Sequence, residues 1–204
     1  ERNIPVLLSR EGPQAAVADV NGDGLQDVYI GGAANQPGQL YIQTAKGFQV
    51  KQDAIFETFK MYEDVAVLFF DADKDGDQDL FVGSGGNNYS VGSKELQNRL
   101  YINDGKGNFT YSENALPVNT MNTAVVAAND FDNDGDTDLF VGSRSVPGDY
   151  GKTPASALLL NDGKGKFKDI SKENSTIQQA GMITGAAWAD VNGDNKKELI
   201  IIGE

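Results

Sequence analysis

The 204-residue chain contains no histidine and no cysteine. Together these absences exclude a Ser-His-Asp or thiol nucleophile, a disulfide framework, and any zinc or haem centre built on imidazole or thiolate. Oxygen is the donor type left for a metal ion. Basic residues are scarce as well: 17 Lys and Arg face 30 Asp and Glu, a net charge of −13. A chain with this balance repels nucleic acid and anionic lipid, so neither is expected as a partner. Long apolar runs are also missing. The longest, Val65 to Phe70, falls far short of the ~18 residues a membrane-spanning helix needs, and no charged-then-apolar leader opens the sequence. A soluble chain without membrane insertion, either mature or excised, is expected.

The acid that is present is unevenly placed. Sixteen of the 30 acidic residues lie in four nine-residue windows, 19 to 27, 71 to 79, 130 to 138 and 190 to 198, and the rest of the chain is neutral. Carboxylates crowded within ~4 Å repel by several kcal/mol at a protein-like dielectric unless a cation lies between them. Each window therefore asks for a cation.

The windows start 52, 59 and 60 residues apart, and their flanks recur with them, which marks an internal repeat. Ahead of them stand Ala15 to Ala18, Val67 to Phe70, Val125 to Ala128 and Gly185 to Ala189; behind them stand Val28 to Gly31, Leu80 to Gly83, Leu139 to Gly142 and Leu199 to Gly203. Short runs rich in β-branched and aromatic residues, bounded by turn residues, read as buried strands. A third run follows at Leu40 to Ile42, Leu100 to Ile102 and Leu158 to Leu160, and in two repeats it ends in Asn-Asp-Gly-Lys-Gly, at 103 to 107 and 161 to 165. Asp-Gly between strands signals a hairpin, and a fourth strand is read from Phe48, Phe109 and Phe167. One repeat is thus four antiparallel strands, a β-propeller blade in an all-β fold, with a turn of helix expected only at Lys94 to Asn98.

Three blades are complete and the fourth stops after two strands, about 3.5 blades in all, whereas the smallest ring at ~60 residues per blade needs ~240. Either Ile4 to Leu8 supplies another strand, or the chain is a segment of a larger propeller; the segment is favoured. A single unit over 1–204 is expected, with repeats at approximately 11–51, 62–111, 121–170 and 181–204.

Aligned, the windows read Asp19-x-Asn21-x-Asp23-Gly24-x-x-Asp27, Asp71-x-Asp73-x-Asp75-Gly76-x-x-Asp79, Asp130-x-Asp132-x-Asp134-Gly135-x-x-Asp138 and Asp190-x-Asn192-x-Asp194-Asn195-x-x-Glu198. Side-chain oxygens at positions 1, 3, 5 and 9, with the main-chain carbonyl of position 7 (Leu25, Asp77, Asp136, Lys196), make a cage for a hard cation. Calcium, which takes 6 to 8 oxygens from a flexible site, fits better than magnesium. An EF-hand is excluded, because its twelfth position needs Glu and here holds Ile30, Val82, Val141 and Ile201. The fourth window is the weakest: Asn195 replaces glycine, Glu198 lengthens the last ligand, and Lys196 and Lys197 offset its charge. Three strong Ca2+ sites are expected.

The succession of strand, Asp-x-Asp-x-Asp-Gly-Asp-x-Asp, Leu-Phe-Val-Gly-Ser and Leu-x-x-Asn-Asp-Gly-Lys-Gly-x-Phe at 71 to 109 and 130 to 167 resembles the FG-GAP (VCBS) repeat of integrin-α-type β-propellers. Gly31-Gly32-Ala33, the hairpin at 100 to 107 and Val146-Pro147-Gly148 are similar to bacterial secreted repeat proteins related to cartilage acidic protein. The resemblance covers nearly the whole chain. It implies calcium in the loops between first and second strands, a seven-bladed parent ring, an extracytoplasmic setting, and a role in adhesion or ligand binding.

Antiparallel order puts the acidic loops and the Asn-Asp-Gly-Lys-Gly hairpins on one face of the propeller and the long variable segments on the other. Long loops on a rigid scaffold are where binding usually lives, so Asn87, Asn88, Tyr89, Arg144, Asp149 and Tyr150 are the candidate contacts to a protein or glycan ligand. The alternative to recognition is a calcium-dependent enzyme acting on polysaccharide, but no catalytic pair stands outside the windows. Open blade edges also favour self-association.

Overall fold

A computed structural model describes residues 12–204, so the strand considered at Ile4 to Leu8 lies outside the described residues. Blade 1 comprises β1 (Ala15–Ala18), β2 (Asp27–Ile30), β3 (Gln39–Thr44) and β4 (Gly47–Lys51). Blade 2 comprises β5 (Asp64–Phe70), β6 (Asp79–Ser84), β7 (Arg99–Asn103) and β8 (Phe109–Tyr111). In blade 3 these places are taken by β9 (Asn122–Asn129), β10 (Asp138–Ser145), β11 (Ala157–Asn161) and β12 (Phe167–Asp169). Two strands, β13 (Ile183–Ala189) and β14 (Glu198–Gly203), form a half-blade. Within each blade every strand pairs antiparallel with the next, and the acidic windows are the first turn of every blade.

Packing between blades explains why the second strands read as continuous apolar runs. Every residue of β6 is buried. Leu80 and Val82 join Tyr29, Leu40 and Val67 in the layer between blades 1 and 2, while Phe81 joins Phe70, Leu100 and Leu139 between blades 2 and 3. A sheet covered on both faces needs apolar residues on both, and each fully buried side chain of this size contributes ~1.5–3 kcal/mol. The half-blade docks through Trp188, whose ring stacks on Phe131 at 6.1 Å and whose Nε1 donates to the Ala127 carbonyl at 3.3 Å. Outward faces are apolar too: Val17, Phe48 and Val50 on blade 1 and Ile200 and Ile202 on the half-blade are exposed.

Helix exceeds the single turn expected. Besides the 3-10 turn at Lys94–Leu96, the chain forms α1 (Ala54–Thr58), α2 (Ser175–Gln178) and a 3-10 turn at Ser171–Glu173. Both helices lie in blade-to-blade connections and begin at a side-chain cap: Asp53 accepts from Ile55 N at 3.0 Å, and Asn174 accepts from Thr176 N at 3.1 Å. These caps are the signal that a reading by apolar periodicity passed over. Helix α1 carries Phe56 into the first layer, 5.1 Å from the Tyr29 ring and 5.4 Å from Tyr101. Among the described residues no helix is long and apolar enough to cross a membrane.

Beside Phe59, the residue that caps α1, lies a buried ion pair. The Arg99 guanidinium meets the Asp64 carboxylate, donates to Ser84 Oγ at 3.2 Å, and lies 4.6 Å from the Tyr62 ring centre. Asp64 Oδ2 in turn accepts from Gly32 N at 2.7 Å and Tyr29 OH at 3.2 Å, so the pair ties blade 2 to blade 1. Asp64→Ala strands the Arg99 charge in the core and is expected to destabilise by ~3–5 kcal/mol in urea unfolding. The double variant Asp64→Ala/Arg99→Met should recover much of that loss, because both charges are then gone.

Candidate metal centres

One hydrogen-bond scaffold shapes the four acidic loops. The position-1 aspartate accepts from the position-6 amide in each: Gly24 N to Asp19 Oδ2 at 2.7 Å, Gly76 N to Asp71 Oδ2 at 3.1 Å, Gly135 N to Asp130 Oδ2 at 3.0 Å, and Asn195 N to Asp190 Oδ2 at 2.9 Å. Position 5 accepts from position 7, as Asp75 Oδ1 does from Asp77 N at 2.9 Å, with Asp23, Asp134 and Asp194 doing the same for Leu25, Asp136 and Lys196. Position 6 has positive φ, which Gly and Asn tolerate: Gly24, Gly76, Gly135 and Asn195. Position 4 does so as well, at Gly22, Lys74, Asn133 and Gly193. That second reversal went unread, although Gly or Asn at position 4 in three of the four windows pointed to it.

Position 9 differs from an ordinary loop ligand. Asp27, Asp79 and Asp138 open the second strands and are fully buried. In each, Oδ2 accepts from the position-2 amide: Val20 at 3.1 Å, Ala72 at 2.8 Å and Phe131 at 3.2 Å. Oδ1 accepts from the third strand or the residue closing it: Gln43 at 2.8 Å, Asn103 at 2.8 Å and Asn161 at 2.9 Å. Burial pushes the Asp79 carboxyl up to about 7 and that of Asp138 up to about 6, against the pull of these amides. The half-blade adapts the clamp. There Glu198 Oε2 accepts from Val191 N at 3.0 Å, and Oε1 takes the Asn192 side-chain amide at 2.9 Å.

The first Asn of each Asn-Asp-Gly-Lys-Gly hairpin extends the clamp to the preceding blade. Asn103 Nδ2 donates to Gln78 O at 3.2 Å in its own loop and to Val20 O at 2.8 Å in the loop of blade 1. Asn161 repeats this with Thr137 O at 3.1 Å and Ala72 O at 2.8 Å.

In blades 2 and 3 the carboxylates converge. Asp71, Asp73 and Asp79 offer oxygens within 4.8 Å of one another, and so do Asp130, Asp132 and Asp138. The position-5 residues Asp75 and Asp134 are exposed. Asp73 Oδ1 and Asp130 Oδ1 are buried without a hydrogen-bond partner, and burial, with Asp75 nearby, raises the Asp73 pKa. An all-oxygen donor set containing orphaned carboxylate oxygens fits a hard divalent cation. The first loop puts Asn21 at position 3, with its Oδ1 accepting from Asp23 N at 3.0 Å. Asp190, Asn192 and Asp194 of the fourth loop are exposed. Among the position-7 side chains, Asp77 packs against Gly105 and Asp136 against Gly163, and Asp136 pairs with the Lys74 ammonium.

Residues proposed on the opposite face are largely engaged with one another's blades. Asn87 Oδ1 accepts from Gly148 N at 2.9 Å and from Asn122 Nδ2 at 3.3 Å, linking blade 2 to blade 3. Arg144 and Tyr150 both bond Glu204, at 2.5 Å and 2.7 Å, linking blade 3 to the half-blade. Tyr89 OH donates to the Met61 carbonyl, and Asn88 donates to Glu63 at 2.7 Å. Asn88 and Asp149 remain exposed.

The family described as FG-GAP-like repeat matches the chain three times, over residues 19–82, 71–141 and 130–201. No curated protein matches. A solved structure of an Agrocybe aegerita lectin, described for its specific recognition of non-reducing terminal N-acetylglucosamine, is similar at 21% identity with a TM-score of 0.50. The match covers 78% of this chain and 37% of that one, so the chain spans well under half the lectin's length, and the likeness shows the fold.

The clamp has a measurable weight of its own. Asp79→Ala leaves the Ala72 and Asn103 amides without their acceptor, and with chelator in excess it is expected to cost roughly 2–5 kcal/mol in urea unfolding. Under the same conditions the exposed Asp75→Ala should cost less than about 1 kcal/mol.

Proposed function

The chain belongs to the FG-GAP-like repeat family, and from that premise we propose that it is a calcium-binding, extracytoplasmic β-propeller module for adhesion or ligand recognition. The observation that carries the calcium reading is the pair of buried, unpartnered oxygens, Asp73 Oδ1 and Asp130 Oδ1, each within a carboxylate cage. Calcium would neutralise the carboxylates and fix the turn between the first two strands of a blade. Its ligands are assigned to positions 1, 3, 5 and 9 and the carbonyl of position 7 in each loop. Extracellular modules of modest affinity saturate at about 10⁻⁴–10⁻³ M calcium, which favours a setting outside the cytoplasm.

Recognition rather than catalysis is the activity the family and the lectin-like fold support. The ligand is assigned to the face opposite the acidic loops, with Asn87, Asn88, Tyr89, Arg144, Asp149 and Tyr150 as its contacts. A terminal amino sugar of the kind named for the lectin is the first to test, and a protein ligand the next. The exposed apolar faces of blade 1 and the half-blade supply a surface for self-association.

Native mass spectrometry in calcium is expected to show three tightly held ions per chain and a weaker fourth, all lost on chelation, with a fall in melting temperature. A melting temperature indifferent to chelator would overturn the calcium reading. On a glycan array, binding should weaken at least tenfold in Tyr89→Ala and Tyr150→Ala while calcium stoichiometry is unchanged; loss of both together would instead mean a disturbed fold.

A further inference from the structure

The acidic loops of successive blades face one another across slots that differ in what fills them. Between blades 2 and 3 the slot is closed from within. Lys74, at position 4 of its loop, reaches across to the buried carboxylate of Asp136 at position 7 of the next. Its Nζ lies 3.4 Å from where a Cβ on Gly135 would stand, and the charges of Asp134 and Asp130 also act on it. An ammonium group is therefore the native occupant of this slot.

Between blades 1 and 2 the walls recur without that occupant. Asp77 holds the place against Gly105 that Asp136 holds against Gly163. The residue at position 4, however, is Gly22, which has no side chain to send across. A Cβ on Gly22 would lie 3.9 Å from the Gly105 carbonyl, so the missing side chain would enter this slot. What stands there is a cleft of about 480 Å³ lined by Asp19, Gly22, Gly76, Asp77 and Gly105 among others. Among the described residues the charges acting on Asp77 are Asp75, Asp104 and Asp71, all negative. Lys51 on β4 is committed elsewhere, donating to Lys106 O at 3.2 Å and Asn108 Oδ1 at 2.7 Å.

We propose that the cleft between the acidic loops of blades 1 and 2 binds a primary ammonium group, the lysine side chain of a partner polypeptide, in the place that Lys74 fills one blade further on. The third slot is an internal control, because position 7 there is Lys196 and the receiving carboxylate is absent. The inference depends on the observed walls of the slots and not on calcium in the loops. It goes beyond the ligand face proposed above, which lies at the other end of the strands.

The test is titration of Nα-acetyl-L-lysine amide into the isotopically labelled chain at saturating calcium, followed by amide chemical shifts. Saturable 1:1 binding in the millimolar range is expected, with shifts at Gly22, Asp77 and Gly105, and none from the Nε-acetylated analogue. Gly22→Lys should abolish it by supplying an internal ammonium, and Asp77→Asn should weaken it at least fivefold. Lys74→Gly should open a second site, seen as a stoichiometry of two. The dispersion of the amide spectrum in the same samples reports whether each variant keeps its fold, whether or not calcium is bound. The proposal is overturned by the absence of saturable shifts, by equal binding to Gly22→Lys, or by shifts spread over all four loops, which would be diffuse attraction of a cation to an acidic protein.

Discussion

A carboxylate buried at the ninth position of the acidic loop in blades 1 to 3, Asp27, Asp79 or Asp138, holds both the turn and the blade in place. Asp79 joins three separate pieces of chain, because one oxygen accepts from Ala72 in the turn and the other from Asn103 at the end of the third strand. Asn103 then donates to Val20 in the neighbouring blade. A buried charge is tolerated only where hydrogen bonds or a counter-ion compensate its lost hydration. Here backbone amides provide part of that compensation, while burial works against it and holds the Asp79 and Asp138 pKa values up. The remainder is what a divalent cation in the adjoining cage would supply, so the turn, the contact between blades and the metal reading share one set of atoms.

The two ends of the strands are held by different chemistry. At the loop end the joints between blades are polar and repeat nearly unchanged from Asn103 to Asn161. At the other end they are individual: an Arg99–Asp64 pair beside Phe59, an Asn87 bridge to Gly148, a Glu204 clamp by Arg144 and Tyr150. Repeating joints fix blade spacing, whereas individual ones allow each connection its own surface, the arrangement expected where specificity is carried by loops on a rigid scaffold.

Much of this was legible in the sequence because a repeat multiplies weak signals. One Asp-rich turn has an ordinary explanation, but four in register fix the strands on either side, and the doubly buried β6 announced itself as Leu80-Phe81-Val82. What escaped reading occurs once or depends on the third dimension. Helix α1 is five residues long, too short for periodicity to register, and its evidence is the single cap at Asp53. Position 9 read as a loop ligand, since sequence spacing cannot reveal that Asp79 and Asp138 face amides from a strand more than twenty residues away. Tyr89 and Tyr150 stand as candidate contacts, but no sequence signal reveals that their hydroxyls bond Met61 and Glu204.

Charge placement orders the four loops by how much positive charge each receives from the protein itself. The first window contains no basic residue, and its position 4 is Gly22. The third has five aspartates of its own and borrows Lys74 from the second, through Asp136 and not through the converging cage of Asp130, Asp132 and Asp138. The fourth carries Lys196 and Lys197 within its own span, and its Asn192 amide donates to one Glu198 oxygen. Ammonium groups and calcium are alternative remedies for the same crowding of carboxylates, since either lowers the repulsion that like charges feel at short range. A loop with a cation of its own gains less from a second one. If calcium fills these loops as proposed, demand for it should therefore fall in the fourth for an electrostatic reason, independent of the longer reach of Glu198, and stay high in the second and third, whose cages contain no ammonium.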